Sequence, residues 1–419
     1  MRQKKRKRPP SKEPSAPSID LKGDGIGSSA FWTRNSAKPV FSKGDIDHRK
    51  AKQLIPGSKL EPTSMDDIVP VIIIQHSSVP AVDGVPKSQQ PLSLHGFTLL
   101  VPRSWGTAFW LSLVHPGTRV AGQVQLRQQA VEGGRLSFPH DYLGTAAFDS
   151  YWKQQALVCK REWKKRPKGK RRESEKLGIQ FPYGGKEMWT QSLKNAHELA
   201  KQRRLLQRPI AETIVSPKTQ PWLLHIKQDA PVDAWRQLAQ LVLNNQGSSP
   251  QSTATALAAL LALPGEKVTI NDISRLASAV VPVSLTACRR GNFDELAPVF
   301  LDDYERDARW RDTLQAAAAE GHGEHKDALQ ELENGVVDRA RQVGAITTGG
   351  YSLTQGKGYA MGCIALLSYL EVVLRDEESA ERTKLKRKGR NPIDTSGMVI
   401  VRNMGGPVLR AASAHVLSA

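Results

Sequence analysis

Three clusters of residues in this 419-residue sequence have side chains capable of chemistry. The first is the run Gly349-Gly350-Tyr351-Ser352-Leu353-Thr354-Gln355-Gly356-Lys357-Gly358-Tyr359-Ala360-Met361-Gly362, five glycines around a lysine. A phosphate-cradling loop needs four residues between its glycines, then Lys and Ser or Thr. Here five follow Gly350, and Lys357 precedes Gly358. The dinucleotide fingerprint fails too, because Met361 stands where its third glycine belongs. A hairpin approaching another backbone or an RNA phosphate fits better. The second cluster is Glu320-Gly321-His322-Gly323-Glu324-His325. On a helix its two imidazoles would share a face, as metal ligands do. Two glycines in six residues weaken that helix and no third ligand is fixed, so a polar loop between helices is the simpler reading. The third is His140-Asp141, an acid–base pair on paper, with Ser112 or Cys159 as nucleophile. No spacing joins them, and Phe138–Tyr142 reads as a turn whose Asp caps a following helix. No catalytic residue and no metal ligand is assigned.

Charge is more informative. Sixty Lys and Arg oppose forty-one Asp and Glu, a net +19 that attracts polyanions. The excess is densest between Lys153 and Lys176, with eleven cations and three carboxylates. Such a run is ordinarily a solvated face. Here Arg is mixed with Lys, and Trp152 and Trp163 stand where they could stack on bases, which favours a phosphate-binding patch. The candidate RNA-binding residues are Lys164, Lys165, Arg166, Lys168, Lys170, Arg171 and Arg172. A second run, Lys4, Lys5, Arg6, Lys7 and Arg8 before Pro9-Pro10, has the form of a nuclear localisation signal. Cys159, Cys288 and Cys363 are scattered and odd in number, which predicts a reducing compartment. No apolar run approaches the roughly 18 residues of a membrane span, and the N-terminus lacks a signal-peptide core. No membrane partner is expected.

The elements that must position these residues follow from periodicity and punctuation. Residues 1–65, rich in Ser, Pro, Lys and Gly, predict a disordered or extended basic tail. Ile68–Gln75 predicts a buried strand. The aromatic stretch Leu94–Tyr142 predicts paired strands in a buried sheet, at Gly96–Val101, Phe109–Val114 and Thr118–Leu126. From Phe148 to Trp163 the period becomes helical. Gln191–Leu206, Val232–Leu243, Ser252–Leu263 and Asp302–Glu333 also predict helix. Val280–Leu285, Val343–Gly362, Met398–Arg402 and Pro407–Ala412 predict extended chain, and Arg375–Arg390 a charged loop. The fold class is α+β, with mixed or antiparallel sheets and packed helices. The domains read as the tail 1–65, a module 66–190 containing the basic segment 153–176, and a module 191–419 with polar insertions near 244–253 and 375–397.

Taken in order, Pro70–Gln75, Gly96-Phe97, Val101-Pro102-x-x-Trp105-Gly106-x-x-Phe109-Trp110, Arg119-Val120-x-Gly122 and Phe138-Pro139 resemble the large protein subunit family of eukaryotic ribonuclease P and ribonuclease MRP. These are motifs of its POPLD domain. Lys165-Arg166-Pro167, Phe181-Pro182 and Trp189 continue the pattern. Gly344-x-x-Thr347-x-Gly349-Gly350-Tyr351-Ser352-Leu353 resembles the family's closing module. Thr107 departs from the Met common in relatives. The resemblance implies a non-catalytic, RNA-binding scaffold in a ribonucleoprotein whose RNA removes the 5′ leader of precursor tRNA, with a sister particle acting on precursor rRNA. It implies ribonuclease P RNA, ribonuclease MRP RNA and smaller protein subunits as partners, and precursor tRNA indirectly. No cofactor is expected on the chain, the metal ions belonging to the RNA active site. It implies residence in the nucleus and nucleolus, and a C-terminal half like the folate-dependent aminomethyltransferase fold. The competing readings are an enzyme of that folate-dependent class and a generic basic nucleic-acid-binding protein.

Overall fold

Residues 42–55, 58–64, 66–78, 94–171, 179–202, 219–224, 232–243, 250–261, 275–320, 325–353, 356–384 and 395–417 are described by the computed structural model of the chain. They divide into two units, one of the described residues up to Ser77 with His95–Val120, the other of Ser78, Leu94 and the residues from Ala121 onward. In the first, α1 (Lys43–Ala51) is capped by Ser42, whose hydroxyl accepts the Asp45 N–H at 3.2 Å. Strands β1 (Ile72–Ser78) and β2 (Leu94–Leu100) pair in a two-stranded sheet. The isoleucine run is thus a strand, but not a buried one: Ile73 is 62% exposed.

Two of the three strands expected in the aromatic stretch are not strands. After Pro102 a single 3₁₀ turn, Arg103–Trp105, leads into α2 (Gly106–Val114), so Phe109–Val114 is helical. Trp110, Leu111 and Leu113 are exposed along it. A short run that is apolar on every side has no period to separate helix from strand. Pro102, unable to donate but free to accept the Trp105 N–H at 2.9 Å, starts a helical turn well. The Ser112 hydroxyl donates back to the Ala108 carbonyl at 2.9 Å, an ordinary bond within a helix and not a nucleophile's. Thr118–Leu126 is irregular chain running into the next helix.

The second unit begins with α3 (Gln123–Glu132), α4 (Ala146–Lys165) and α5 (Lys186–Gln202). Then come β3 (Trp222–Leu223), α6 (Val232–Leu243), α7 (Pro250–Leu260), β4 (Ala279–Ala287) and β5 (Pro298–Phe300). Helices α8 (Tyr304–Glu320) and α9 (Lys326–Glu333) precede the hairpin β6 (Gln342–Ser352) and β7 (Lys357–Ala365). The remainder is α10 (Leu366–Lys384), β8 (Val399–Arg402) and β9 (Leu409–Val416). The strand order β4-β7-β6-β5-β8-β9 returns to β4, so six strands close into an antiparallel barrel, with β3 added in parallel to the start of β4. Closure leaves no open edge along the paired stretches. The α+β class expected from the sequence holds.

Helix α5 lies against β6 and β7, and α10 packs on α5 and α6. Their apolar faces join the barrel interior in one core that includes Leu193, Leu238, Leu257, Val281, Ile346 and Leu370. On another side α8 and α9 cover the barrel through Phe300, Trp310, Leu314, Leu329 and Leu409. The charged run from Arg375 is helical through Lys384 rather than a loop. Its first residues are charged because they are buried in pairs. The Arg375 guanidinium donates to Glu371 at 2.7 Å and to the Asp302 carbonyl at 3.0 Å, and Arg311 of α8 reaches Asp376 at 2.7 Å. The Arg311–Asp376 pair joins α8 to α10.

Candidate nucleic-acid interface

Helix α4 is half core and half surface. Its start is fixed by Thr145, whose hydroxyl accepts the Phe148 N–H at 3.2 Å. Phe148 and Trp152 are buried; Phe148 meets Trp189 of α5 edge-on, with centroids 6.2 Å apart. The Trp152 indole N–H donates to the His140 carbonyl at 3.1 Å. Trp152, at 6% exposure, is therefore a core residue and not the base-stacking platform its basic neighbours suggested. Its spacing from Phe148, one helical turn, was the signal for that role.

Beyond Trp152 the helix turns to solvent. Lys153, Lys160 and Lys164 recur at i, i+7 and i+11, with exposed Leu157 between them, so they line one face over roughly 16 Å. Arg161 and Lys165 stand next to that row. Between Lys153 and Arg171 there are nine cations, and Glu162 is the one carboxylate. Lys164, Lys165, Arg166, Lys168 and Lys170 are all exposed. Cations in the last turn also suit the negative end of the helix dipole.

Arg171 has a different task. After the extended Arg166 and the 3₁₀ turn Lys168–Lys170, the chain doubles back. Arg171 Nε donates to the Arg166 carbonyl and Nη2 to the Lys164 carbonyl, both at 2.8 Å. Its guanidinium also lies 5.1 Å from the centre of the Trp163 ring. Arg171 thus closes the C-terminus of α4 and shapes the loop that presents the other cations, while covering Trp163. Arg172 lies outside the described residues, as do Lys4, Lys5, Arg6, Lys7 and Arg8.

The turn before α4 ties this interface to the barrel. Asp141, 1% exposed, accepts the Ser137 N–H at 2.7 Å through one oxygen. Its other oxygen accepts the Thr347 hydroxyl of β6 at 2.5 Å and the Thr348 hydroxyl at 3.4 Å. Burial pushes this carboxyl above its usual range, while the three donors pull it back. Asp141 does not cap α4; Thr145 does. Two residues 206 positions apart, Asp141 and Thr347, carry the joint, and no local pattern in the sequence could have paired them. The adjacent His140 is held down to about 4, first by burial and then by the Arg127 charge, so it is neutral at neutral pH. An acid–base role with Asp141 has no support from this geometry. Cys159 stands on the exposed half of α4, among the cations.

The glycine-rich run is a hairpin of close backbone approach, as its spacing suggested. A Cβ at Gly349 would run into the Phe293 carbonyl, and one at Gly358 into the Gly291 carbonyl. Gly350 faces the Tyr359 ring, and Ser352 is fully buried. Of the motif residues, Trp105, Gly106, Phe109 and Trp110 belong to the turn and helix α2, and Gly122 is the N-cap of α3. Phe138 and Pro139 lie in the turn that carries Asp141. His322 is outside the described residues, and His325 is the N-cap of α9.

Residues 96–186 match the POPLD (NUC188) domain, and residues 305–418 match the POP1 C-terminal domain. The first contains α2 to α4 with the basic row; the second contains α8 to β9. The human protein named "Ribonucleases P/MRP protein subunit POP1" is 28% identical over 163 residues, which cover 37% of this chain and 15% of that protein. The chain therefore spans a small part of the length of the relative it matches. Both domains thus lie on one chain in this order, joined between Asp141 and Thr347, and in these two stretches the chain is similar to the ribonuclease P/MRP protein subunit POP1.

Proposed function

We propose that the chain is an RNA-binding scaffold subunit of the ribonuclease P and ribonuclease MRP ribonucleoproteins, supporting removal of the tRNA 5′ leader and processing of precursor rRNA. The observation that carries this reading is the exposed half of α4 with its closing loop, nine cations against one carboxylate on a helix anchored in the core. Phosphates bound along it release counterions, which favours structured RNA without reading its bases. In this reading bond cleavage belongs to the RNA and its metal ions. The protein contributes a rigid cationic ridge, held to the barrel by Asp141, and the chain assembles with ribonuclease P RNA, ribonuclease MRP RNA and smaller protein subunits. The run Lys4–Arg8 directs it to the nucleus and nucleolus. The barrel is taken as the counterpart of the folate-dependent aminomethyltransferase fold, retained as scaffold. The test is purification of the protein from its own cells and sequencing of the RNA that accompanies it. One dominant structured RNA, with leader-cleaving activity in the eluate, is expected. A diverse RNA population would overturn the assignment.

A further inference from the structure

Where β4 ends and β9 begins, against α8 and α9, the chain forms a small pocket lined by Arg289, Arg290, Trp310, Glu333, Arg410 and Ala411. Trp310 is 1% exposed, yet its indole N–H has no hydrogen-bond partner among the described residues. An indole can only donate, and buried donors are nearly always satisfied. Arg410 Nε is likewise buried and without a partner there, although its Nη1 donates to the Arg290 carbonyl at 3.1 Å. That placement depends on Gly291. Its φ is +132°, and a Cβ at this position would collide with the Arg410 guanidinium. Arg289 is paired with Glu333 at 2.9 Å, so the lining holds three guanidinium groups against one carboxylate. The space has room for about one oxygen atom and opens to solvent on one side.

Two orphaned donors and a surplus of positive charge call for a ligand with acceptor oxygens, negative charge and no need to donate. We propose that this pocket binds an oxyanion of the phosphate class, one oxygen inserted toward the Trp310 indole and the Arg410 Nε, the others in the mouth near Arg290. It shares no residue with the α4 row. The phosphate could be free in solution or part of a nucleic-acid backbone, and the chemistry of the pocket is the same for both.

The test follows the Trp310 indole N–H resonance in nitrogen-15-labelled full chain, assigned by its loss in Trp310→Phe. Inorganic phosphate is titrated against chloride at constant ionic strength. A saturable shift of this resonance is expected with phosphate and not with chloride. Arg410→Met should weaken it by roughly tenfold, as loss of a charge-assisted bond does, and Glu333→Gln should strengthen it. A short oligouridylate is the second arm. Saturation at lower phosphorus concentration than free phosphate identifies a backbone phosphate as the ligand; response to phosphate alone identifies the small anion. A resonance that chloride moves as phosphate does, or that Arg410→Met leaves unchanged, means a water fills the pocket and overturns the proposal. Substituting the α4 cations should leave this titration intact, so it stands or falls apart from the RNA-binding role of α4.

Discussion

Replacing Lys164, Lys165, Lys168 and Lys170 together by Gln removes cations that are exposed and that make no described bond to the fold. If each neutralises one phosphate of single-stranded RNA, each contributes about 0.7 to the slope of log affinity against log salt. The quadruple variant should therefore lose roughly 2.8 from that slope. Over a rise from about 50 to 200 mM salt, the original chain should weaken about 50-fold more than the variant. Fluorescence anisotropy with a labelled RNA, repeated at several salt concentrations, measures both slopes. The melting temperature should stay nearly unchanged, because exposed substitutions of this kind alter stability by no more than about 0.5 kcal/mol. Arg171→Met is the contrasting variant. It removes two bonds to the last carbonyls of α4, so it should lower stability by about 1 kcal/mol and shift the salt slope little. Parallel slopes for the original chain and the quadruple variant would refute the assignment of phosphate contacts to this loop.

Other consequences can be checked separately. Thr347→Val leaves the buried Asp141 carboxylate without its shortest donor and should cost about 1–3 kcal/mol in urea unfolding, with the RNA salt slope unchanged. Gly349→Ala would drive a methyl into the Phe293 carbonyl, so it should destabilise by about 1–3 kcal/mol, whereas Gly106→Ala, with open space around it, should not. His140 titrates near 4 in the folded chain against 6.5 ordinarily, so between these values the unfolded chain binds the extra proton. Stability from this group is present above pH 6.5 and is lost as pH falls toward 4, and His140→Phe should flatten that part of the pH–stability curve relative to the original chain. Tetrahydrofolate should give no saturable heat in calorimetry; a saturable one would return the folate-dependent enzyme reading.

What the sequence made legible follows from where its patterns are local. Val232–Leu243 is a helix with the bounds its period indicates, and the Gly349–Gly362 run is a hairpin because glycines there answer a close backbone. The helix through Trp152 and Trp163 was equally plain, but the partition of its two tryptophans was not. Trp152 faces the core with Phe148, whereas Trp163 lies under Arg171. Along α2 the periodicity argument had nothing to work with, since Ala108 to Leu113 is apolar but for Ser112 and no polar face breaks the run. At Arg375 the density of charge read as solvent, yet it is a buried ion-pair network with partners on α8 and just before it. The candidate interface was visible as composition; the task of Arg171 and the joint at Asp141 were not, because each depends on a bond that only the folded chain makes.

The barrel closes through β9, which pairs with β8 on one side over Leu409–Arg402 and Val399–Ala412, and with β4 on the other from Ala287–Ala412 to Val283–Val416. Of the strands in the ring, this is the one synthesised last. Until it emerges from the ribosome, β4 and β8 both expose unpaired backbone and the apolar residues that will face inward. A growing chain of this topology carries one sticky margin from the completion of β4 at Ala287, gains a second at β8 just before β9, and removes both in one step. Chaperone dependence and the toll of premature termination should therefore concentrate between the completion of β4 and the emergence of β9, an interval that includes α10.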